Sequence, residues 1–401
     1  MKIKPVILCG GSGTRLFPGF KHVPSKQFID FGGWTLFEKT LDRIKNPIFD
    51  TPIISTNKIY KDLVLKALRN KKVLKYKIVL ESSKKNTAAA IISSSLLDEI
   101  KINQPILFIP SDHFIQKKKI FNNILLSNIK NLNNKNIFIF GIKPTTPRSD
   151  YGYLLNKKIK KNINKVVEFI EKPKKKLAEK LVKKKALWNS GIVLARKDSI
   201  INNVKIYQKN LFSYCLKSLN KVNQDKKIIR LNKRFFDKIT AISFDYAILE
   251  KAKEINSISL NISWSDLGSW SEIFKVLKTQ IKSKLIKKNT FYRPWGFYKN
   301  YFEGEKFLLK ELTINGNSSI SLQKHFYRSE HWTVTQGKPK ITIGKKVFFK
   351  NINESVFVPK GSIHRIENIY KKPIKIVEAQ LGNILKETDI VRFQDIYGRI
   401  K

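Results

Sequence analysis

Acidic residues are few in this 401-residue chain: 31 Asp and Glu stand against 79 Lys and Arg, a formal net charge of +48. Cysteine is rarer still, and Cys9 and Cys215 alone cannot build a disulfide framework or a cysteine-ligated zinc knuckle. Both are expected to be inert core thiols. No apolar run approaches the roughly 18 residues that would cross a bilayer, so no membrane partner is expected. The first residues, "MKIKPVILCGGSGTR", reach glycines too early for a signal peptide, which predicts a cytoplasmic protein. Histidine is also scarce: two of the 5 fall in one short stretch, "SLQKHFYRSEHW" (321–332), with Gln323, Arg328 and Glu330 beside them.

A charge excess of this size points first to a nucleic-acid binder. The lysines, however, run through "QKKKI" and "EKPKKKLAEKLVKKKA" with no stripe, no interleaved aromatics and no DNA- or RNA-binding motif. That is the pattern of a drift toward A+T-rich codons, with lysines on solvated faces. A basic nucleic-acid-binding protein is therefore kept only as the alternative from another class, and no specific nucleic-acid partner is expected. A basic field would still attract anionic substrates.

The length fits two or three domains, and 42% hydrophobic residues suffice to fill them. In the first part, "PVILCG" (5–10), "TPIIST" (51–56), "YKIVLE" (76–81), "PILFIP" (105–110) and "NIFIFG" (136–141) read as strands. "LFEKTLDRI", "KDLVLKALRN" and "TAAAIISSSLLDEI" between them have helical spacing. Continuous apolar strands alternating with helices predict a Rossmann-like α/β domain, a mostly parallel sheet with helices on both faces. A ligand should then lie at the carboxyl ends of the strands. Beyond about residue 285 short strands follow closely, "FLLKELTI", "HWTVTQG", "PKITIG", "SVFVPKG" and "PIKIVEAQLG" among them. They predict an all-β barrel or sandwich. The expected division is 1–285 and 286–401.

"CGGSGTRLFP" (9–18) follows the first strand directly. Gly10, Gly11 and Gly13 let the backbone approach a phosphate and aim N–H groups at it, with Thr14 in the same loop and Arg15 as a bidentate donor. Downstream come "SKQF", "NTAAAI" (86–91), "PSDHFI" (110–115), "YGYL" (151–154), "FIEKP" (169–173), "WNSGI" (188–192), "FDYAILEK" (244–251) and "WSDLGSW" (264–270). In that order they resemble the bacterial mannose-1-phosphate guanylyltransferases, in the bifunctional form fused to a type II mannose-6-phosphate isomerase.

The resemblance implies attack of a mannose 1-phosphate oxygen on the α-phosphate of GTP, with pyrophosphate leaving. It gives Arg15 and Lys26 the neutralisation of the triphosphate, Asp112 and Asp266 a Mg²⁺ ion, Glu171 and Asn189 the sugar hydroxyls, Lys172 the sugar phosphate and Gly152 the ring. His113 is expected to be structural and His22 a loop residue, and Asp245 receives little weight. The chain departs from the family pattern at Ser25, which separates Pro24 from Lys26, and at Arg148 and Asp150 before "YGY". Both departures put fine positioning in question.

In the C-terminal part Gln323 and His325, two apart on a strand, share a side. The spacings of Gly316, Gln323, His325, Glu330 and Gly337, then Pro359, Gly361, His364 and Asn368, match the two cupin motifs. Gln in the first ligand position resembles the mannose-6-phosphate isomerases. The likeness makes Gln323, His325, Glu330 and His364 ligands of a divalent metal, with Zn²⁺ expected and Mn²⁺, Co²⁺ or Fe²⁺ open. Arg328 is cast as a catalytic stabiliser of charge, and Arg399 as a phosphate ligand. His331 is undecided between a surface and a supporting position, and no general base is named. The expected partners are GTP, mannose 1-phosphate and the fructose 6-phosphate/mannose 6-phosphate pair, with a homo-oligomer left open. The nearer rival is a monofunctional guanylyltransferase whose cupin is inactive.

Overall fold

A computed structural model describes residues 1–11, 25–31, 33–160, 162–219, 227–280, 290–304, 306–395 and 397–398. Among the described residues the chain divides into two compact units, one of 1–11, 25–28 and 35–266 and one of 29–31, 33–34 and 267–398. The expected boundary at 285/286 lies outside the described residues. No described helix is long and apolar enough to cross a membrane.

The first unit is built on a ten-stranded sheet. From edge to edge it runs Ile228–Arg230, Lys77–Glu81, Ile53–Asn57, Lys4–Cys9, Pro105–Pro110, Leu187–Arg196, Ile137–Ile142, Ile255–Ser259, Ile163–Ile170, Tyr153–Lys160. The first five strands are mutually parallel. Val6, Ile7, Ile53, Ile54, Ile106 and Phe108 are fully buried, because such strands have helices on both faces and no side for solvent. Leu187–Arg196 enters antiparallel between two of the anticipated strands, and the hairpin Tyr153–Ile170 closes one edge. These antiparallel strands were not foreseen. Helix Leu36–Arg43 starts at a capping box, in which Thr35 accepts from Glu38 N and Glu38 accepts in return.

In the second unit, one antiparallel sheet has the order Thr290–Arg293, Gly296–Gly304, Phe307–Ile314, Ile374–Gly382, Arg328–Gln336, Ser355–Val358. The other runs Lys346–Phe349, Lys340–Ile343, His364–Asn368, Leu322–Lys324, Val391–Gln394. Their inner faces share one core, in which Leu312, Trp332 and Ile376 of the first sheet meet Ile341 and Ile366 of the second. Helix Trp270–Gln280 packs on this unit, with Trp270 against Phe307 and Phe274 against Tyr301. The cupin-motif residues hold turns: Gly337 and Gly361 have φ of +80° and +79°, where a side chain is strained. Asn368 Nδ2 donates to the carbonyls of Ile314, Asn315 and Lys372.

Candidate active sites

In the first unit, strand Lys4–Cys9 delivers Gly10 and Gly11 at its carboxyl end, beside the end of Pro105–Pro110. Gly13, Thr14, Arg15 and His22 lie outside the described residues. Ser25 Oγ donates to Gly11 O at 2.7 Å, so the residue that departs from the family pattern ties the loop down directly ahead of Lys26. Lys26, only 2% exposed, places Nζ 2.8 Å from Asp112 Oδ2 and also donates to the carbonyl of Asp266. Burial raises the Asp112 pKa, but Lys26, with His113, outweighs it and holds the carboxyl below its ordinary value.

The two acids are brought together by a short pairing. Phe114–Ile115, just after Asp112, forms antiparallel bridges with Trp264–Ser265, just before Asp266. Tyr151 donates to Asp266 Oδ1 at 2.6 Å, and the Arg148 guanidinium lies over the Tyr151 ring while pairing with Asp150 at 2.7 Å. The second family departure thus forms an ion pair stacked on a tyrosine that touches one of the two acids. His113 packs edge-on against Trp264, and burial pulls it down to about 4, leaving a neutral ring at pH 7.

A neighbouring group gathers around Gly152. Asn189 N donates to Gly152 O at 2.8 Å, and a Cβ on Gly152 would stand 2.5 Å from Glu171 Oε2. Lys172, with φ of +46°, sets Nζ 3.1 Å from Glu171 Oε1. Asp245 belongs to this group: it accepts from Asn189 Nδ2 at 2.7 Å, and burial together with the Glu171 charge pushes it up to about 6. Adjacent carboxylates beside amide groups can receive neighbouring hydroxyls.

In the second unit, Glu330 reaches inward from Arg328–Gln336. His325 Nε2 is 3.1 Å from Glu330 Oε1, and His364 Nε2 is 3.7 Å from Glu330 Oε2. These three residues form a buried group that could hold a metal ion. Each imidazole lies with Nδ1 at a backbone carbonyl, His325 at Asp389 O (3.0 Å) and His364 at Ser362 O (2.8 Å), which aims Nε2 at the centre. His364 Nε2 is buried with no hydrogen-bond partner, as suits a ligand atom. Strand Leu322–Lys324 stops one residue before His325, so Gln323 and His325 do not share a strand as expected. Gln323 nevertheless pairs with His364 in register and its amide lies 3.5 Å from His325 Nε2.

Arg328 donates to Glu330 at 3.3 Å and to Lys386 O at 2.8 Å. Burial works against ionised Glu330, yet His325, His364 and Arg328 hold it well below its ordinary value. Gln323, Arg328 and Glu330 line a small cavity. Arg293, Lys310, Arg392 and Glu378 line it too, none of them singled out beforehand. Burial first, and then the Glu330 charge, push the Glu378 carboxyl up. His331 lies on the opposite face of the strand from Glu330, partly buried, with Nδ1 unpartnered. Arg399 lies outside the described residues.

A nucleotidyl transferase family model matches residues 4–283, and a mannose-6-phosphate isomerase C-terminal model matches residues 280–395. A mannose-1-phosphate guanylyltransferase of Sinorhizobium fredii is 30% identical over 98% of this chain and 91% of its own. The alginate biosynthesis protein AlgA of Pseudomonas fluorescens is 29% identical over 98% and 96%. Among solved structures, a mannose-6-phosphate isomerase from Helicobacter pylori is 25% identical with a TM-score of 0.57, over 66% of this chain and 100% of that one. One described as a mannose-1-phosphate geranyltransferase from Thermus thermophilus has a TM-score of 0.60 at 21% identity, over 69% and 79%, a likeness of fold. Matched along almost its whole length, the chain belongs to the nucleotidyl transferase family, in the form that carries a mannose-6-phosphate isomerase C-terminal domain.

Proposed function

We propose that the first unit makes GDP-mannose from mannose 1-phosphate and GTP, releasing pyrophosphate, and that the second interconverts fructose 6-phosphate and mannose 6-phosphate, both in the cytoplasm. The observation that carries the reading is Lys26 held between Asp112 and Asp266 beside Gly10 and Gly11, in a chain that aligns with guanylyltransferases throughout. A phosphate nucleophile is already anionic, so the transfer needs positioning and charge neutralisation rather than a base. Lys26, with Arg15 and the loop amides of Gly10, Gly11, Gly13 and Thr14, neutralises and orients the triphosphate. Glu171 and Asn189, with Asp245, receive the sugar hydroxyls, Gly152 leaves room for the ring, and Lys172 meets the sugar phosphate. A Mg²⁺ ion held by Asp112 and Asp266 would supply further neutralisation of the phosphates.

In the second unit, Gln323, His325, Glu330 and His364 would hold a divalent cation, Zn²⁺ first, which polarises the sugar carbonyl. Arg328 faces the charge that develops on that oxygen. Glu378, raised toward neutrality inside the cavity, is the group placed to carry a proton between adjacent carbons. Arg293, Lys310 and Arg392, joined by Arg399, meet the 6-phosphate. A separate phosphate-moving mutase must connect mannose 6-phosphate to mannose 1-phosphate.

The test takes purified chain with mannose 1-phosphate and each of four nucleoside triphosphates, and separately fructose 6-phosphate with Zn²⁺, Mn²⁺ or Co²⁺. Product with GTP alone and metal-dependent isomerisation are expected. GDP-mannose formation without isomerisation under any metal would leave a monofunctional enzyme, and no nucleotide sugar at all would refute the transferase reading.

A further inference from the structure

The last turn of helix Leu36–Arg43 carries a buried guanidinium with no acid beside it among the described residues. Arg43 is 2% exposed; Nη2 donates to His113 O at 3.1 Å, Nη1 reaches Thr40 Oγ1 at 3.5 Å, and Nε has no acceptor. Among the described residues no carboxylate lies within ion-pair distance of it. Burial pulls it down to about 10, still charged at neutral pH. Removing a guanidinium from water without a counter-charge is costly, and a well-packed apolar residue is often no worse for stability. Fold stability alone therefore gives no reason for an arginine here.

What it holds supplies one. Thr40, fully buried one turn earlier, donates to Ser111 O at 3.4 Å, while Arg43 takes the carbonyl of His113. The same helix face grips the carbonyl oxygens of the residues on both sides of Asp112, whose carboxylate meets Lys26. Ser111 N is fixed in turn on Leu8 O at 3.1 Å. We propose that Arg43 is a positioning residue for Asp112: it clamps the Ser111–His113 segment so that the carboxylate is presented to the divalent cation that accompanies the nucleotide. The proposal rests on the reading of Asp112 as a cation ligand. A buried cation behind the site also favours the arrival of phosphate charge in front of it.

The full-length protein and its Arg43→Met and Arg43→Lys variants are compared in two ways. One is GTP-dependent Mn²⁺ binding by calorimetric titration, which needs no turnover; the other is the Mg²⁺ dependence of GDP-mannose formation. Isomerisation of fructose 6-phosphate and thermal unfolding serve as controls for folding. Arg43→Met is expected to weaken GTP-dependent Mn²⁺ binding and raise the half-saturating Mg²⁺ by about 10-fold or more, the size that groups orienting a metal ligand carry. The KM for mannose 1-phosphate should stay within about two-fold, and isomerisation should be unchanged. Arg43→Lys, which keeps the charge but cannot span both acceptors, should fall between.

Cation binding within about two-fold of wild type in Arg43→Met overturns the proposal, as does an equal rise in the KM for mannose 1-phosphate. If Arg43→Met does not fold, wild-type cation binding in Arg43→Lys overturns it instead. Wild-type protein that binds Mn²⁺ with GTP yet makes no GDP-mannose would sink the proposed activity while leaving the Arg43 comparison readable.

Discussion

Asn189 donates Nδ2 to Asp245 at 2.7 Å, onto a carboxyl that burial and then Glu171 push up to about 6. A carboxyl whose pKa rises on folding from 3.8 to about 6 binds its proton more tightly in the folded state. Stability is therefore lost as pH rises through that window and is level above it. Asp245→Asn keeps an acceptor for Asn189 and removes the ionisation. Its melting temperature relative to wild type should climb between about pH 4 and 6 and then plateau, while the KM for mannose 1-phosphate rises. A difference independent of pH across that range would show that Asp245 is not the titrating group.

Gly152 is constrained by what faces it. A Cβ there would lie 2.5 Å from Glu171 Oε2 and 3.1 Å from Phe169 Cζ, so Gly152→Ala must push the Glu171 carboxylate aside. Losing one well-placed hydrogen bond to a charged group is worth about 1.5–3 kcal/mol. The KM for mannose 1-phosphate should accordingly rise at least ten-fold, with the KM for GTP and the isomerase activity unmoved. Steady-state kinetics with each substrate varied in turn checks this, and an equal change in both KM values would contradict it.

The parallel half of the first sheet was legible because strands covered on both faces must be apolar throughout, as "PILFIP" is. The edge hairpin was not: in "YLLNKKIK" only Tyr153 and Leu154 are buried and the rest reaches solvent, so no period stood out. Lys26, Asp112, Gln323, His325, Glu330 and His364 stood out through their resemblance to family motifs, and the fold brings Lys26 to Asp112 and both His325 and His364 to Glu330. Asp245 and Tyr151 act through partners 56 and 115 residues away, a relationship that one-dimensional spacing does not contain. Arg43 was hidden differently. A basic residue in the last turn of a helix reads as a solvated partner of the helix dipole, and only packing shows that it points inward. Glu378 and Gln380 did leave a signal: they sit two apart on a strand whose only other charged residue is Lys375, on the inward side with Ile374 and Ile376.

Asp389 braces the group of His325, Glu330 and His364 from outside. Its carboxylate accepts from Phe326 N at 2.9 Å and Tyr327 N at 3.1 Å, while its own carbonyl oxygen lies 3.0 Å from His325 Nδ1. Removing the carboxylate frees the turn that carries that carbonyl and loosens the orientation of His325. Asp389→Ala should lower Zn²⁺ affinity by about 10- to 100-fold, measured by competition with a chromogenic chelator, and leave GDP-mannose formation intact. Unchanged affinity would mean that the His325 ring is held by packing alone.

The two chemistries should separate cleanly by mutation. His364 offers a buried, unpartnered Nε2 to the group it forms with His325 and Glu330. His364→Ala removes one ligand and leaves the Glu330 charge with less to balance it. Bound metal should fall in elemental analysis, isomerisation should be lost, and GDP-mannose formation should persist. Asp112→Asn is the reverse case: it keeps the side-chain shape but removes the charge that Lys26 meets at 2.8 Å. It should abolish nucleotidyl transfer and spare isomerisation. Chelation followed by Mg²⁺ alone should act like His364→Ala, because Mg²⁺ prefers oxygen ligands and does not suit a site with two imidazoles. Loss of both activities in a folded single mutant would contradict the assignment of the two reactions to separate sites.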